Sequence, residues 1–174
     1  KKEKEMTTTD KYVFFWGGPF SQWLMSAMKI DNCTYNCCEQ YMMAQKALMF
    51  DDQSALRKIM ASNRPVKQKE FGRMVKGFDR ATWEKEARDI VYEANVAKFS
   101  QNLTIKSVLL GTDDKIIVEA SPTDVIWGIG LGEDNPAIMD PKNWRGTNWL
   151  GEELMEVRKF LREEENKKAE KEKK

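Results

Sequence analysis

The 174-residue sequence contains no histidine. That absence removes Ser-His-Asp and Cys-His activation of a nucleophile, removes imidazole-ligated zinc, and takes away the commonest general base near neutral pH. Chemistry in this chain has to run on Glu, Asp, Lys, Tyr or Cys. Cysteine is scarce as well: Cys33, Cys37 and Cys38 are the whole set, packed into six positions. An odd, clustered set is unlike the even, dispersed pattern of a disulfide-stapled secreted scaffold, so reduced thiols and a cytoplasmic or nuclear location are expected. No metal site is expected from them, because adjacent cysteines rarely reach one tetrahedral ion together and no fourth ligand of the usual kind is nearby. No apolar run is long enough to span a bilayer, so no membrane partner is expected. Residues 1–11 are charged and Thr-rich, without the apolar centre of a secretory signal.

An excess of one charge is also missing. The net charge is +1; residues 1–11 contribute +1 (four lysines against three acids) and residues 162–174 another +1 (six basic against five acidic), which leaves the body at −1. No basic face for coating a duplex is announced, and any nucleic-acid contact would be local to a pocket. What is present is ordinary for a globular chain, with 41% hydrophobic and 33% charged residues. The expected organisation is a flexible segment 1–11, one globular domain over 12–162, and a charged flexible tail 163–174 that has no apolar face to bury.

The pattern along the chain predicts an α+β domain, predominantly helical, with six or seven helices and a few short strands. Residues 12–16 (YVFFW) form a β-prone run ended by Gly17-Gly18-Pro19, and residues 25–30 and 33–35 flank an Asp31-Asn32 turn. Helices are expected over 37–50, from Asp51-Asp52 to about 61, and from Pro65 to about 75. Residues 83–99 place Trp83, Ala87, Ile90, Val91, Ala94 and Ala97 on one stripe, with Thr82 as N-cap. Asn102 can cap a short helix ending at Gly111, residues 115–119 (KIIVE) read as a strand, and a last amphipathic helix covers 149–162. Residues 121–147 are rich in Gly, Pro, Asn and Trp, and so long a connection is expected to carry function.

Glu39 and Lys46 lie seven apart on a predicted helix, which puts a carboxylate and an amine on one face two turns apart; two surface charges on an amphipathic helix would show the same spacing. Asp124 and Trp127 in SPTDVIWGIG bring an acid and a flat ring together, as a sugar site would, or as a turn-capping Asp beside a core Trp would. GIGLG at 128–132 lacks the following helix of a dinucleotide fingerprint. Arg73, Lys76 and Arg145 are candidate phosphate contacts or solvated cations. Trp83 reads as a core anchor or, less simply, a stacking platform.

These features fall in one order over residues 12–162. Gly18-Pro19-Phe20-Ser21-Gln22-Trp23 is similar to a G-P-[LF]-S-N-[FW] motif, and residues 35–46 (YNCCEQYMMAQK) to a Y-x-T-x-E-H-Y-F-Q-A-Q-K helix. Phe71-Gly72-Arg73, Trp83, Ala97-Lys98-Phe99, Leu109 to Thr112, Val118-Glu119, Ser121-Pro122-x-Asp124-x-x-Trp127-Gly128-x-Gly130 and Asn148-x-Leu150-Gly151-x-x-Leu154-Met155-x-x-Arg158 follow in register. The set resembles the NADAR (YbiA-like) family of N-glycosidases. Two positions depart from it: Gln40 stands where the family has histidine and Gln22 where it has asparagine.

The resemblance implies a hydrolase that cuts the N-glycosidic bond between ADP-ribose and a guanine base of DNA. It leaves open the ribosylamino-pyrimidine phosphates of riboflavin synthesis, and a non-catalytic ADP-ribose or NAD module. Catalytic roles are implied for Glu39, Lys46 and Asp124, and ligand contacts for Gly18, Phe20, Ser21, Gln22, Arg73, Trp83, Trp127 and Asn148. No cofactor and no metal are expected, and the expected partner is ADP-ribose or ADP-ribosylated nucleic acid.

Overall fold

The computed structural model describes residues 6–174, which fall into two compact units, one built from the described residues up to Ser21 together with 103–174, the other from 22–102. Six α-helices and five short strands make the described fold α+β and predominantly helical.

In the first unit, β1 (Thr7–Thr8) pairs antiparallel with β2 (Tyr12–Phe15), and β2 pairs parallel with β5 (Ile116–Glu119). Thr7 and Thr8 therefore pair within the segment expected to be flexible, of which residues 1–5 lie outside the described residues. The register sets Phe14 beside Val118 and Phe15 beside Glu119. Phe14, Val118 and Ala120 bury against Ile129, Leu131 and Ile138, so the long 121–147 segment supplies half of this core. Two 3₁₀ turns, Pro136–Met139 and Pro141–Asn143, shape that segment, each started by a side chain (Asn135, Asp140) that accepts a backbone N–H. The core also receives Trp144, whose indole N–H donates to the Ile138 carbonyl at 2.8 Å.

The same unit holds α5 (Leu103–Leu110) and α6 (Trp149–Glu172). The expected end of α6 near 162 is corrected by ten residues. Lys106 meets Glu165 at 3.0 Å and Lys167 meets Glu164 at 3.3 Å, so the tail gains ionic support where it lacks an apolar face.

The second unit opens with the hairpin β3 (Met28–Ile30) and β4 (Cys33–Tyr35), whose Asp31 and Asn32 take φ of 50° and 65°, the left-handed pair that a tight two-residue hairpin turn requires. Four helices follow: α1 (Cys38–Met49), α2 (Gln53–Ala61), α3 (Pro65–Arg73) and α4 (Arg80–Gln101). Asp52 caps α2 by accepting the Ala55 N–H at 3.0 Å. Thr82 is not the cap of α4. Asp79 is, accepting the Thr82 N–H at 2.9 Å, and the Arg80–Glu84 pair at 2.8 Å reinforces the turn that the pattern had left out. α1 and α3 approach closely where Gly72 faces Met43; a Cβ on Gly72 would fall on the Met43 sulfur.

Candidate active site

Glu39 sits in the first turn of α1, where its backbone N–H donates to the Gln22 carbonyl at 3.0 Å. Glu39 is 6% exposed, which sets aside its reading as a surface charge. Lys46, two turns on, is half-buried, with Nζ 4.4 Å from the Phe78 ring centroid and 5.9 Å from that of Trp83. Burial lowers the Lys46 pKa, the negative charge of Glu39 raises it, and the positive charge of Arg73 lowers it again. Trp83 is 8% exposed and so serves as a core anchor that also faces the amine. Arg73, in the last turn of α3, is exposed.

Gln22 ends a chain of three polar side chains that starts at Cys38. The Cys38 thiol donates to Asn95 Oδ1 at 3.7 Å, and Asn95 Nδ2 donates to Gln22 Oε1 at 2.9 Å. That arrangement fixes the Gln22 amide with its nitrogen turned away from Asn95, and Nε2 is a buried donor that no acceptor meets among the described residues. A second buried network secures the entry to α1. Gln40, in the position of the family's histidine, accepts the Asn36 N–H at 2.8 Å and donates to the carbonyls of Ile59 and Ser62 at 3.1 Å, closing the end of α2. Gln68, fully enclosed, accepts from the Cys37 thiol at 3.1 Å and donates to Asn36 Oδ1 at 3.0 Å.

Burial pushes the Cys37 thiol up to about 11 and the Cys38 thiol up to about 12, so both stay protonated and serve as hydrogen-bond donors. All three cysteines are free thiols. Asn95 and Lys98 escaped the sequence reading as site residues. Both lie on the buried side of α4, at 0% and 1% exposure, and a polar pair on an otherwise apolar stripe is the signal that could have flagged them. Burial lowers the Lys98 pKa, and its Nζ lies 4.9 Å from the Phe99 centroid.

The remaining expected residues belong to the first unit. Gly17 and Gly18 take φ of 95° and 70°, and the Ser21 N–H returns to the Gly18 carbonyl at 3.1 Å, closing a tight turn. Phe20 in this turn is fully enclosed and packs edge-on to Phe15 at 5.6 Å, which makes it a support for the turn and not an exposed contact surface. Asp124 Oδ1 accepts the Ile126 and Trp127 N–H groups at 2.9 and 2.8 Å, so the carboxylate builds the turn that carries Trp127. Trp127 is half-buried, edge-on to Trp149 at 5.6 Å. Asn148 is 4% exposed, with Nδ2 donating to the Ile117 carbonyl and Oδ1 accepting the Glu119 N–H, both at 3.0 Å. Both ends of its amide are spent on β5. Lys76 and Arg145 are exposed, and their recorded bonds are made by the backbone, to Asp52 Oδ2 and the Ile129 carbonyl.

Buried carboxylate, half-buried amine, aromatic rings and an oriented amide are thus gathered around α1. The sequence model of the NADAR domain matches residues 14–162. The chain belongs to the NADAR family. An N-glycosidase of Acanthamoeba polyphaga mimivirus, R617, is 44% identical over 86% of this chain and 96% of its own length. N-glycosidase YbiA of Escherichia coli K12 is 30% identical over 89% of this chain and 85% of its own. The NMR structure of the E. coli protein YbiA superimposes with a TM-score of 0.74 at 28% identity, covering 92% of this chain and 90% of that one. This NADAR member therefore has the YbiA-like fold and is a hydrolase acting on N-glycosyl bonds. Among the described residues no group of acids and cysteines is placed to hold a metal ion, and no helix is long and apolar enough to cross a membrane.

Proposed function

We propose that this NADAR member cleaves the N-glycosidic bond between ADP-ribose and a guanine base of DNA, reversing nucleic-acid ADP-ribosylation. The observation that carries the reading is the pairing on one face of α1 of a buried carboxylate, Glu39, with an amine, Lys46, whose pKa is lowered by burial. Breaking a ribose-to-nitrogen bond develops positive charge at the anomeric carbon and negative charge on the leaving base. Glu39 stabilises the cation. The Lys46 ammonium gives its proton to the base nitrogen as the bond breaks, a task helped by a pKa brought down toward the working pH. Water then bonds to the anomeric carbon and loses a proton to Glu39, and exchange with solvent restores both groups.

Gln22 Nε2, a donor already oriented by Asn95, takes a hydroxyl or phosphate oxygen of the ADP-ribose, and Arg73 takes a phosphate. Asp124 acts by fixing Trp127, whose ring offers a flat face to a sugar or base. Within the first unit, the Gly18–Ser21 turn and the Asn148 amide fix the local backbone. The names of the viral and bacterial relatives support the bond type, and the −1 body is compatible with a target held by its ADP-ribose.

The test follows products by mass spectrometry from guanine-ADP-ribosylated single-stranded DNA and from a ribosylamino-pyrimidine phosphate. Release of ADP-ribose from the DNA is expected, with Lys46→Ala and Glu39→Gln each reducing turnover by roughly 10²-fold or more. Cleavage of the metabolite alone would move the enzyme to metabolite clearance. ADP-ribose binding without cleavage of either would make it a reader.

A further inference from the structure

The proposed reaction accounts for a modified base but not for the surface beside it. Trp23 directly follows Gln22, whose carbonyl receives the Glu39 N–H, and yet Trp23 is 42% exposed. The Lys69 ammonium stands 5.8 Å from its ring centroid. Lys69 and Arg73 are four residues apart on α3 and so share a face, and the charge of Arg73 reaches Lys46. Residues 64–76 hold five basic side chains against one acid, Glu70, and Glu70 is engaged by Lys67 at 3.0 Å. Neither Lys69 nor Arg73 forms an ion pair among the described residues. A local ridge of positive charge therefore runs along α3 from an exposed indole to the amine of the site, in a chain body whose total charge is −1.

We propose that Trp23 and Lys69 form a subsite for the strand flanking the modified nucleotide: a neighbouring base stacks on Trp23 while Lys69 takes the phosphate of the linkage beside it, and Arg73, one turn on, stays with the ADP-ribose phosphate. A flat ring beside a cation that no carboxylate pairs is the combination that single-stranded nucleic acid recognises, since every base has a π-face and every linkage a negative charge. A free ribosyl phosphate has no second base to place there. The subsite rests on the reading of DNA as substrate, and its test separates the two.

Wild-type protein, Trp23→Ala and Lys69→Gln are titrated at low salt against an unmodified fluorescein-labelled single-stranded DNA 12-mer, and their kinetics are measured on ADP-ribosylated guanosine and on the same modified base within a 12-mer. The expected result is DNA binding by the wild type that weakens at least fivefold in each variant. KM for the modified 12-mer should rise similarly, with kcat and all constants for the modified nucleoside unchanged. Wild-type cleavage of the 12-mer with both variants unaffected would overturn the subsite and leave the activity standing. DNA binding lost in both variants, in a protein that cleaves neither substrate, would keep the subsite and overturn the activity. Equal losses on nucleoside and 12-mer would assign Trp23 to the fold and also overturn the subsite.

Discussion

Burial lowers the pKa of Lys46, Glu39 pulls it back and Arg73 lowers it further, so a single amine reads the position of two charged neighbours. Replacing Arg73 by Met removes a positive charge that disfavours the ammonium, and the Lys46 pKa should rise. The pH midpoint for acylation of Lys46, read peptide by peptide in a mass spectrometer, is expected to move to higher pH in Arg73→Met; an unmoved midpoint would disconnect the two cations. Residue identity alone could not order these effects. Glu39 and Lys46 were legible as a pair by their spacing, but the same spacing suits two solvated charges, and only the 6% exposure of Glu39 separates the cases. Asp124 shows the converse. It was legible both as an acid of a sugar site and as a turn-capping Asp beside a Trp, and its two backbone bonds give it the work of holding the turn.

At the scale of elements, helices were the most readable feature because periodicity and caps are local. α4 began three residues earlier than its apolar stripe, since a cap at Asp79 and an ion pair extend a helix beyond its buried face. α6 outran its apolar stripe at the other end by the same kind of support. The packing of α6 on β5 depends on a residue that sequence alone would pass over. A Cβ on Gly151 would fall on the Ile117 carbonyl and on the Asn148 amide, and a strand carbonyl cannot swing aside as a flexible side chain can. Gly151→Ala should therefore destabilise the protein by roughly 2 kcal/mol or more, measured by urea unfolding, and an unchanged midpoint would show that helix and strand separate freely.

For the whole molecule, buried thiols set an alkaline limit. Cys37 and Cys38 ionise at about 11 and about 12 in the folded chain, against 9.0 without burial, so the native state retains protons that the unfolded chain releases. Their contribution is complete below pH 9.0 and is lost as pH rises from there toward their folded values. Lys98, whose pKa is lowered, works in the opposite direction, and the thiol effect is read as a difference. Between pH 8 and 10.5 the thermal midpoint of the wild type should fall more than that of Cys38→Ala; parallel curves would remove the thiol from the balance.

The sequence by itself determined the helical α+β class, the reduced cysteines, the absence of imidazole chemistry and the family, because composition, short-range periodicity and ordered motifs are properties of neighbours along the chain. Tertiary structure alone decided that Asn95 orients Gln22 across 73 positions and that Asn148 ties itself to β5. It also put Phe20 inside a core and Trp23 at the surface. Hydrogen-bond satisfaction and burial depend on groups distant in sequence, and a residue's type states only what it can do when they arrive.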